Sequence, residues 1–428
     1  MKLAGRVAAG IEILAEIFDR HRPASEALKD WAKAHRFAGS SDRHVIGTLV
    51  YDGLRNRLSA GAGAGGEDAR AVALGTLATV WKLPVSEIET LCAEQFGPGL
   101  LTASEKAALT AEPKELAAHI GANYPAWLEI SLKSVFGENL LDEMAALCQR
   151  APIDLRVNTL KCDRPKLLEA FAKFGASATP LSPTGLRIPP AGIDARNINV
   201  EAEPAHGLGW FEVQDEASQI AVLLSGAKPG MRVLDLCAGA GGKTLSLAAL
   251  MQNQGTIIAH DRDKHRLRPI FERIGRSAAS NIEVLPFDES AKLEKLGPFD
   301  LVVVDAPCTG SGTWRRKPDA KWRLAPKQLT IRIKEQADVL DQAASLVKVG
   351  GTLAYFTCSL LPEENTRQAA SFLSSHRDFK IIPFGPQWHA MIGGNIPASA
   401  DGSKETLLLS PYTHNTDGFF VALMQRKA

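Results

Sequence analysis

The feature that most constrains the fold is a regular alternation of short apolar runs and helix-like segments from Glu216 onward. The runs RVLDLCA, TIIAHD, IEVLPFD, DLVVVDAP and GTLAYFTC are separated by segments with helical periodicity. Strands joined through helices predict an α/β Rossmann-like domain, built on a mostly parallel, doubly wound sheet. Two closing runs, TLLLSP and GFFVALMQR, predict an antiparallel hairpin at the edge of that sheet.

The remainder of the chain has a different character. Apolar positions at helical spacing dominate residues 1–145 and predict an all-helical bundle, in which the Gly/Ala run at 59–68 is expected to be a flexible loop. Short β-like runs between Pro and Gly residues follow and predict a small α/β module. Because 428 residues exceed what one core usually organises, we divide the chain into domains 1–145, 146–212 and 213–428.

Composition excludes several classes of protein. Hydrophobic residues make up 45% of the chain and charged residues 23%, as in ordinary soluble proteins, and no membrane role is expected. The acidic residues Glu12, Glu16 and Asp19 favour an amphipathic helix over a signal peptide, so we expect a cytoplasmic location. The sequence contains no CxxC pair that would suggest a metal site, and we expect no bound metal. The net charge of +1 means that any RNA affinity must come from local basic patches.

A Gly-rich turn and two acids predict a nucleoside cofactor. The turn CAGAGGKT (Cys237 to Thr244) follows a strand and opens a helix, where backbone N–H groups suit an anionic ligand, although tight packing alone also explains such a turn. Asp261 ends the next strand, where it can accept ribose hydroxyls, and Asp288 ends the third, where it can meet an adenine edge. The glycines do not follow GxGxxG, which disfavours NAD and favours S-adenosylmethionine.

Two cysteines lie at predicted carboxyl ends of parallel strands. Cys308 follows Pro307 after the fourth strand, and Cys358 ends the fifth. A buried core role would be the default for a cysteine, but Pro307 and Gly310 are not typical core neighbours. Methylation of cytosine carbon 5 requires a thiolate to add at carbon 6 and a second acid/base group to assist release. Both cysteines are candidates for these roles, and Asp305 can hydrogen-bond the N3/N4 edge of the base.

Several motifs in order resemble the Sun family of RNA cytosine-5 methyltransferases, of the bacterial RsmB type that modifies 16S rRNA. The matching runs are YPAWL, LRVNTLK, VQDEASQ, CAGAGGKT, DAPCTGSG, RRKPDAKW, TCS, PEEN and TDGFF. One departure is Ala240, where the family usually has Pro, and this change is expected to loosen the loop.

The resemblance implies a role for each matching residue. Cys358 would attack the base, Cys308 would assist release, and Lys243 would support the thiolate and Asp305. Arg156 and Asn158 would touch RNA, and the N-terminus would be a NusB-like domain. The implied contacts to S-adenosylmethionine are Cys237, Ala238, Gly239, Ala240, Gly241, Gly242, Lys243, Asp261, Asp288 and Asp305.

A local basic patch indicates the RNA partner. Residues 310–335 contain eight Lys or Arg against two acids and include Trp314 and Trp322, although a charge run is often only a solvated face. From this patch we predict RNA contacts by Arg315, Arg316 and Lys321. The expected partner is 16S rRNA or a small-subunit assembly intermediate, bound by a monomer.

Two other functions remain open at this stage. A DNA cytosine-5 methyltransferase would attack with a Pro-Cys cysteine, but such enzymes need an ENV triplet, which does not follow here. A non-catalytic ribosome-assembly factor would not need paired cysteines.

Overall fold

The computed structural model describes residues 1–112, 115–192 and 198–428. Its first part is helical, as predicted. In α1, Ile13, Leu14 and Ile17 share one face and are buried against the neighbouring helices, which is the usual reason that an amphipathic segment becomes a packed helix. The helices of this part are α1 Leu3–Arg20, α2 Ala24–Ala34, α3 Ser40–Arg55, α4 Arg57–Gly63, α5 Ala69–Thr79, α6 Val85–Ala93, α7 Ala103–Thr110, α8 Ala118–Gly121, α9 Glu129–Phe136 and α10 Leu140–Leu147.

The prediction of a flexible loop at residues 59–68 was wrong for its first half. Residues up to Gly63 form α4, which packs tightly against α5. A Cβ atom on Gly75 would lie 1.8 Å from the backbone oxygen of Ala60, so only glycine permits this approach. The Gly/Ala run is therefore a close helix contact, which helical periodicity of large apolar residues does not reveal.

The last helices of this part pack on the sheet that follows. Tyr124, Leu132, Phe136 and Met144 share one hydrophobic cluster with the strands of the C-terminal sheet. The predicted boundary at residue 145 therefore falls inside α10 and divides the chain within the core that α9 and α10 help to bury. Sequence spacing identifies a helix, but it does not say which core covers its apolar face.

The middle of the chain contains a four-stranded antiparallel sheet of order β2-β3-β1-β4. Its strands and helices are β1 Ile153–Val157, α11 Arg164–Phe171, β2 Ser177–Ala178, β3 Gly185–Ile188, α12 Pro204–Gly207 and β4 Phe211–Val213. This arrangement agrees with the small α/β module predicted from the short runs.

The C-terminal part is an eight-stranded, mostly parallel sheet. The order is β10-β12-β9-β8-β5-β6-β7, with β11 paired to β12. The five strands from β5 to β9 run parallel, whereas β12 pairs antiparallel with β9, β10 and β11. The strands are β5 Arg232–Asp235, β6 Thr256–His260, β7 Ile282–Leu285, β8 Phe299–Asp305, β9 Val347–Thr357, β10 Phe379–Ile382, β11 Leu407–Leu409 and β12 Phe419–Arg426. The predicted fold class is confirmed, and the unpredicted β10 extends the sheet beyond the hairpin.

Helices cover both faces of this sheet. Two hydrophobic clusters lie on opposite sides of it, one containing Val302 and Tyr355 and the other Val303 and Phe356. These pairs alternate along β8 and β9, as expected for strands buried on both faces. The helices are α13 Glu216–Leu224, α14 Gly242–Leu250, α15 Lys264–Leu267, α16 Ile270–Ser277, α17 Leu293–Leu296, α18 Pro318–Arg323, α19 Pro326–Leu346, α20 Thr366–Ser375, α21 Phe384–Met391 and α22 Pro411–His414. Within the described ranges, no helix is long and apolar enough to cross a membrane.

Candidate active site

The carboxyl ends of β5, β6, β8 and β9 meet at one edge of the sheet and carry most of the predicted site. The Gly-rich turn leaves β5 and opens α14 at this edge. Gly239 and Gly241 have φ angles of 50° and 82°, and a Cβ atom on Gly241 would lie 2.4 Å from Ile270. The turn therefore needs glycine both for its backbone conformation and for its contact with α16.

Asp261 holds this turn from the neighbouring strand. Its carboxylate accepts hydrogen bonds from the backbone N–H groups of Gly239 and Asp263, both at 2.9 Å. The side chain is buried, and Arg266 lies 3.8 Å away. Asp261 therefore stabilises the turn as well as facing the cleft beside it.

A cleft of about 130 Å³ opens between the Gly-rich turn and α19. Arg262 on one side and Glu335 on the other form an ion pair of 2.7 Å. Asp288 is exposed and does not line this cleft, so its role at an adenine edge stays a prediction without a supporting contact. The residues that line the cleft are Leu236, Cys237, His260, Asp261, Arg262, Arg266, Pro307, Glu335, Asp338, Val339 and Gln342.

Asp235 is a buried acid that the sequence reasoning missed. One carboxylate oxygen accepts a hydrogen bond of 2.7 Å from the Thr244 hydroxyl, and the other has no partner among the described residues. Burial raises the pKa of Asp235 to about 7. An acid at the end of an apolar strand, directly before a Gly-rich turn, was the signal that could have identified it.

The two predicted cysteines lie side by side. The sulfur atoms of Cys308 and Cys358 are 3.4 Å apart, and each side chain is partly buried. The hydrogen bond with Cys358 and burial raise the pKa of the Cys308 thiol. Burial also raises the pKa of Cys237, so that third thiol of the site stays protonated at neutral pH.

Lys243 and Asp305 form an ion pair beside the cysteines. The ammonium of Lys243 is 2.7 Å from the Asp305 carboxylate and 5.0 Å from the centre of the Phe419 ring. Lys243 lies in the first turn of α14 and Asp305 ends β8, so the fold brings together two predicted residues that are 62 positions apart. In the described part of the chain, no cluster of His, Cys, Asp or Glu could hold a metal ion.

A second residue that sequence reasoning missed connects the cysteine loops. Glu364 is fully buried and accepts hydrogen bonds from Thr309 and Ser359, which directly follow Cys308 and Cys358. In the sequence, Glu364 lies within the PEEN run, for which no individual residue role is predicted. Its position after the strand that ends in Cys358 was the available signal.

Two of the three cations of the basic patch predicted to contact RNA are buried, so those two predictions need correction. Arg315 is buried and pairs with Asp215 and Asp417, while Lys321 is buried and donates to the backbone oxygen of Arg55. Arg316, which is 30% exposed, shares the same two carboxylates. Arg315 and Lys321 are therefore not accessible to phosphates, whereas RNA contact by Arg316 stays a prediction.

Arg156 and Asn158 are also buried. Arg156 donates to Gln214 at 2.6 Å and to the backbone oxygen of Gly242, and burial lowers its pKa to about 10. Asn158 donates to two backbone oxygens, at 2.7 and 2.8 Å. Both side chains connect the small module to helices of the C-terminal part, Arg156 to the start of α14 and Asn158 to the end of α16.

The sheet order, the Gly-rich turn and the acids at the carboxyl edge define a Rossmann-like class I methyltransferase domain. Residues 222–425 match the family described as 16S rRNA methyltransferase RsmB/F, and residues 124–192 match the ferredoxin-like domain of RsmF/B-like methyltransferases. The chain therefore belongs to the RsmB/F family.

Individual relatives support this family assignment. The chain is 32% identical over 310 residues to the probable ribosomal RNA small subunit methyltransferase B of Synechocystis sp., covering 71% of this chain and 67% of that protein. It is 31% identical over 292 residues to the ribosomal RNA small subunit methyltransferase F of Escherichia coli, covering 67% of this chain and 59% of that relative. The crystal structure of PH0851 superposes over the whole of both chains, with a TM-score of 0.75 and 26% identity.

Proposed function

We propose that the protein transfers a methyl group from S-adenosylmethionine to carbon 5 of a cytosine in 16S rRNA, through a covalent bond to Cys358. The observation that carries this proposal is the pair of cysteine sulfurs, 3.4 Å apart at the ends of β8 and β9. A methyltransferase acting on a carbon that needs prior thiolate addition requires a thiolate and a second acid/base group close to it, and a neighbouring thiol can serve as that group. The names of the relatives support 16S rRNA as the substrate.

The residues around the cleft suit S-adenosylmethionine. The turn over Cys237 to Lys243 offers backbone N–H groups at the start of α14, and Asp261 offers a buried carboxylate for hydroxyl donors. When bound, the cofactor supplies an electrophilic methyl group, and this chain's own residues perform the remaining chemistry.

Cys358 starts the reaction as a thiolate. It adds to carbon 6 of cytosine, and the electron pair of the ring double bond moves toward carbon 5, which becomes nucleophilic. Asp305 accepts a hydrogen bond from the exocyclic amino group and thereby orients the base. Lys243 holds Asp305 at 2.7 Å and adds positive charge where negative charge develops.

Cys308 completes the reaction. After carbon 5 is methylated, its remaining proton passes to the Cys308 sulfur, the carbon 6–sulfur bond breaks, and its electrons return to Cys358. The separation of 3.4 Å lets both sulfurs reach adjacent carbons of one ring. The assignment of attack to Cys358 rests on the family resemblance, because the distance alone permits the opposite assignment.

A methyl-transfer assay tests the proposal. Purified protein with labelled S-adenosylmethionine should methylate unmodified 16S rRNA, and bisulfite mapping should locate 5-methylcytosine at a discrete position. A cytosine in a single-stranded loop should react far faster than the same cytosine in a stable duplex, because the site must receive an unstacked base. Methylation of DNA alone, or labelled RNA without 5-methylcytosine, would contradict the proposal.

A further inference from the structure

One buried carboxylate connects the two loops that carry the cysteines. Glu364 accepts hydrogen bonds from the backbone N–H of Thr309 at 2.9 Å and from its hydroxyl at 2.5 Å. The Ser359 hydroxyl donates to the same carboxylate. Since Thr309 and Ser359 are the next residues after Cys308 and Cys358, Glu364 determines how far apart the two sulfurs can lie.

Neighbouring residues complete this support. Gln336 donates to Glu364 and to the backbone oxygen of Pro307, both at 2.9 Å, so it holds the residue before Cys308. Asn365 accepts from the Thr357 hydroxyl at 2.6 Å and donates to the Ser359 backbone at 2.8 Å. Chain positions on both sides of each cysteine are therefore held by side chains from α19 and the turn before α20.

Burial raises the pKa of Glu364, and its carboxylate has no cationic partner within the described residues. Its donors are an amide, two hydroxyls and a carboxamide, all of them neutral. Lys243, the cation of the site, is already paired with Asp305. A negative charge in a buried site acts strongly on its neighbours, because little solvent screens it.

We propose that Glu364 is a positioning residue that holds both cysteine loops together and, through its charge, keeps the proton on Cys308. This assignment rests on the proposed function, in which Cys358 attacks first. Glu364 lies against the residue after Cys308 through two bonds, one of them from the backbone, so its charge disfavours a second anion there. The hydrogen bond with Cys358, burial and the charge of Glu364 all raise the pKa of Cys308, as this assignment requires.

The arrangement also explains the order of the two roles. While Cys358 is a thiolate, the Cys308 S–H group donates a hydrogen bond to it and keeps its own proton. Once the Cys358 sulfur is bonded to carbon 6, it no longer attracts the Cys308 proton. The largest cause that raises the pKa of Cys308 is then removed, and Cys308 can release its proton to water although Glu364 is unchanged. Cys308 then accepts the carbon 5 proton, and the electrons of the broken carbon–sulfur bond restore the thiolate on Cys358.

Site-resolved alkylation of the full chain tests the assignment without RNA or cofactor. The protein is treated briefly with limiting iodoacetamide at pH 8, and mass spectrometry measures the rate at Cys308 and at Cys358. In the unaltered protein, Cys358 should react faster. Glu364→Gln, which keeps the shape of the side chain and removes its charge, should lower the ratio of the two rates by about tenfold, the effect of one pKa unit.

Three controls separate charge from structure. Glu363→Gln removes the adjacent charge, which pairs with Arg367 and Ser131 outside the cysteine loops, and should leave the ratio unchanged. Glu364→Asp keeps the charge and should retain the preference for Cys358. Glu364→Ala should accelerate both cysteines, because it opens the loops.

Two results would overturn the assignment. One is faster alkylation of Cys308 in the unaltered protein, which needs no variant to fold. The other is an unchanged ratio in a folded Glu364→Gln protein. Because the assay contains no RNA, a failure to methylate RNA would contradict the proposed function and leave this measurement interpretable.

Discussion

At the scale of single residues, Cys308 and Cys358 differ in their surroundings although their sulfurs are 3.4 Å apart. Glu364 accepts hydrogen bonds from the backbone N–H and the hydroxyl of Thr309, which follows Cys308. From Ser359, which follows Cys358, it accepts a hydrogen bond only from the hydroxyl. Chemical roles follow from such asymmetry, because a thiol becomes a nucleophile only where its anion is tolerated.

Substitution of each cysteine should block a different step. Cys358→Ala cannot form the bond to carbon 6 and should show neither methylation nor RNA bound to protein. In Cys308→Ala, Cys358 should still attack the base and carbon 5 should be methylated, but the reaction should then stall without a proton acceptor and a covalent complex should accumulate. In denaturing electrophoresis with labelled RNA and S-adenosylmethionine, the covalent protein–RNA complex should appear as a slowly migrating band. The reverse pattern would assign attack to Cys308, and the double variant should resemble Cys358→Ala.

Asp235 should make stability depend on pH. Its pKa is raised to about 7 by burial, so the folded state favours the protonated acid, and this contribution is lost as pH rises from about 4 through 7. Asp235→Asn, which can still accept from Thr244, should remove that loss, worth up to roughly 4 kcal/mol at pH 8. Thermal unfolding at pH 5 and pH 8 measures the effect. A stability difference between variant and parent that is equal at both pH values would sink this explanation.

At the scale of elements, a buried cluster of charges joins loops that are far apart in the chain. Asp215 precedes α13, Arg315 and Arg316 follow β8, and Asp417 precedes β12. Burial alone would raise the pKa of Asp215, but the two arginines lower it, whereas burial and Asp215 raise the pKa of Asp417. The basic RRK run thus sets the position of the loop after Cys308. A count of charges alone would assign the same run to RNA binding.

Removing one charge from this cluster should be costly. Asp215→Asn retains a side-chain oxygen for the N-cap bond to Ala217 but leaves two arginines with only Asp417. We expect a loss of about 3 kcal/mol, since a buried partner is removed. Chemical denaturation measures it against Asp378→Asn, which breaks an exposed pair with Arg426 and should cost less than about 1 kcal/mol. Equal losses in the two variants would refute a special role for the cluster.

At the scale of the whole molecule, the helical part contacts the sheet through the end of α3. The Trp322 indole donates to the Leu54 backbone at 2.6 Å, Lys321 donates to the Arg55 backbone, and the Arg55 guanidinium donates to the Arg315 backbone. Trp322 also packs against the core of the helical part. The loop after Cys308 is therefore connected to the N-terminal helices by direct contacts.

Truncation of Trp322 should loosen this contact. Trp322→Ala removes the apolar packing and the hydrogen bond, and we expect a loss of about 2–4 kcal/mol at this interface, somewhat below that of a fully buried tryptophan. Hydrogen exchange should accelerate in α3 and α18 while β5 and β8 keep their protection. Trp127→Ala, at a 38% exposed tryptophan, serves as the control and should leave α3 unchanged. Uniform acceleration across the sheet would indicate global destabilisation instead.

The sequence by itself determined the alternation of the parallel strands β5 to β9 with helices, the fold class and the positions of Cys308, Cys358, Asp305 and Lys243 at strand or helix ends. These follow from local periodicity and from the rule that parallel strands end at one edge. Only the tertiary structure decided which charged residues are exposed. Arg156, Arg315 and Lys321 were predicted to contact RNA, but they are buried. Their carboxylate, carboxamide and backbone oxygen partners come from distant segments of the chain. The same reason explains why Asp235 and Glu364 were missed, since the burial that gives each its role depends on packing between elements.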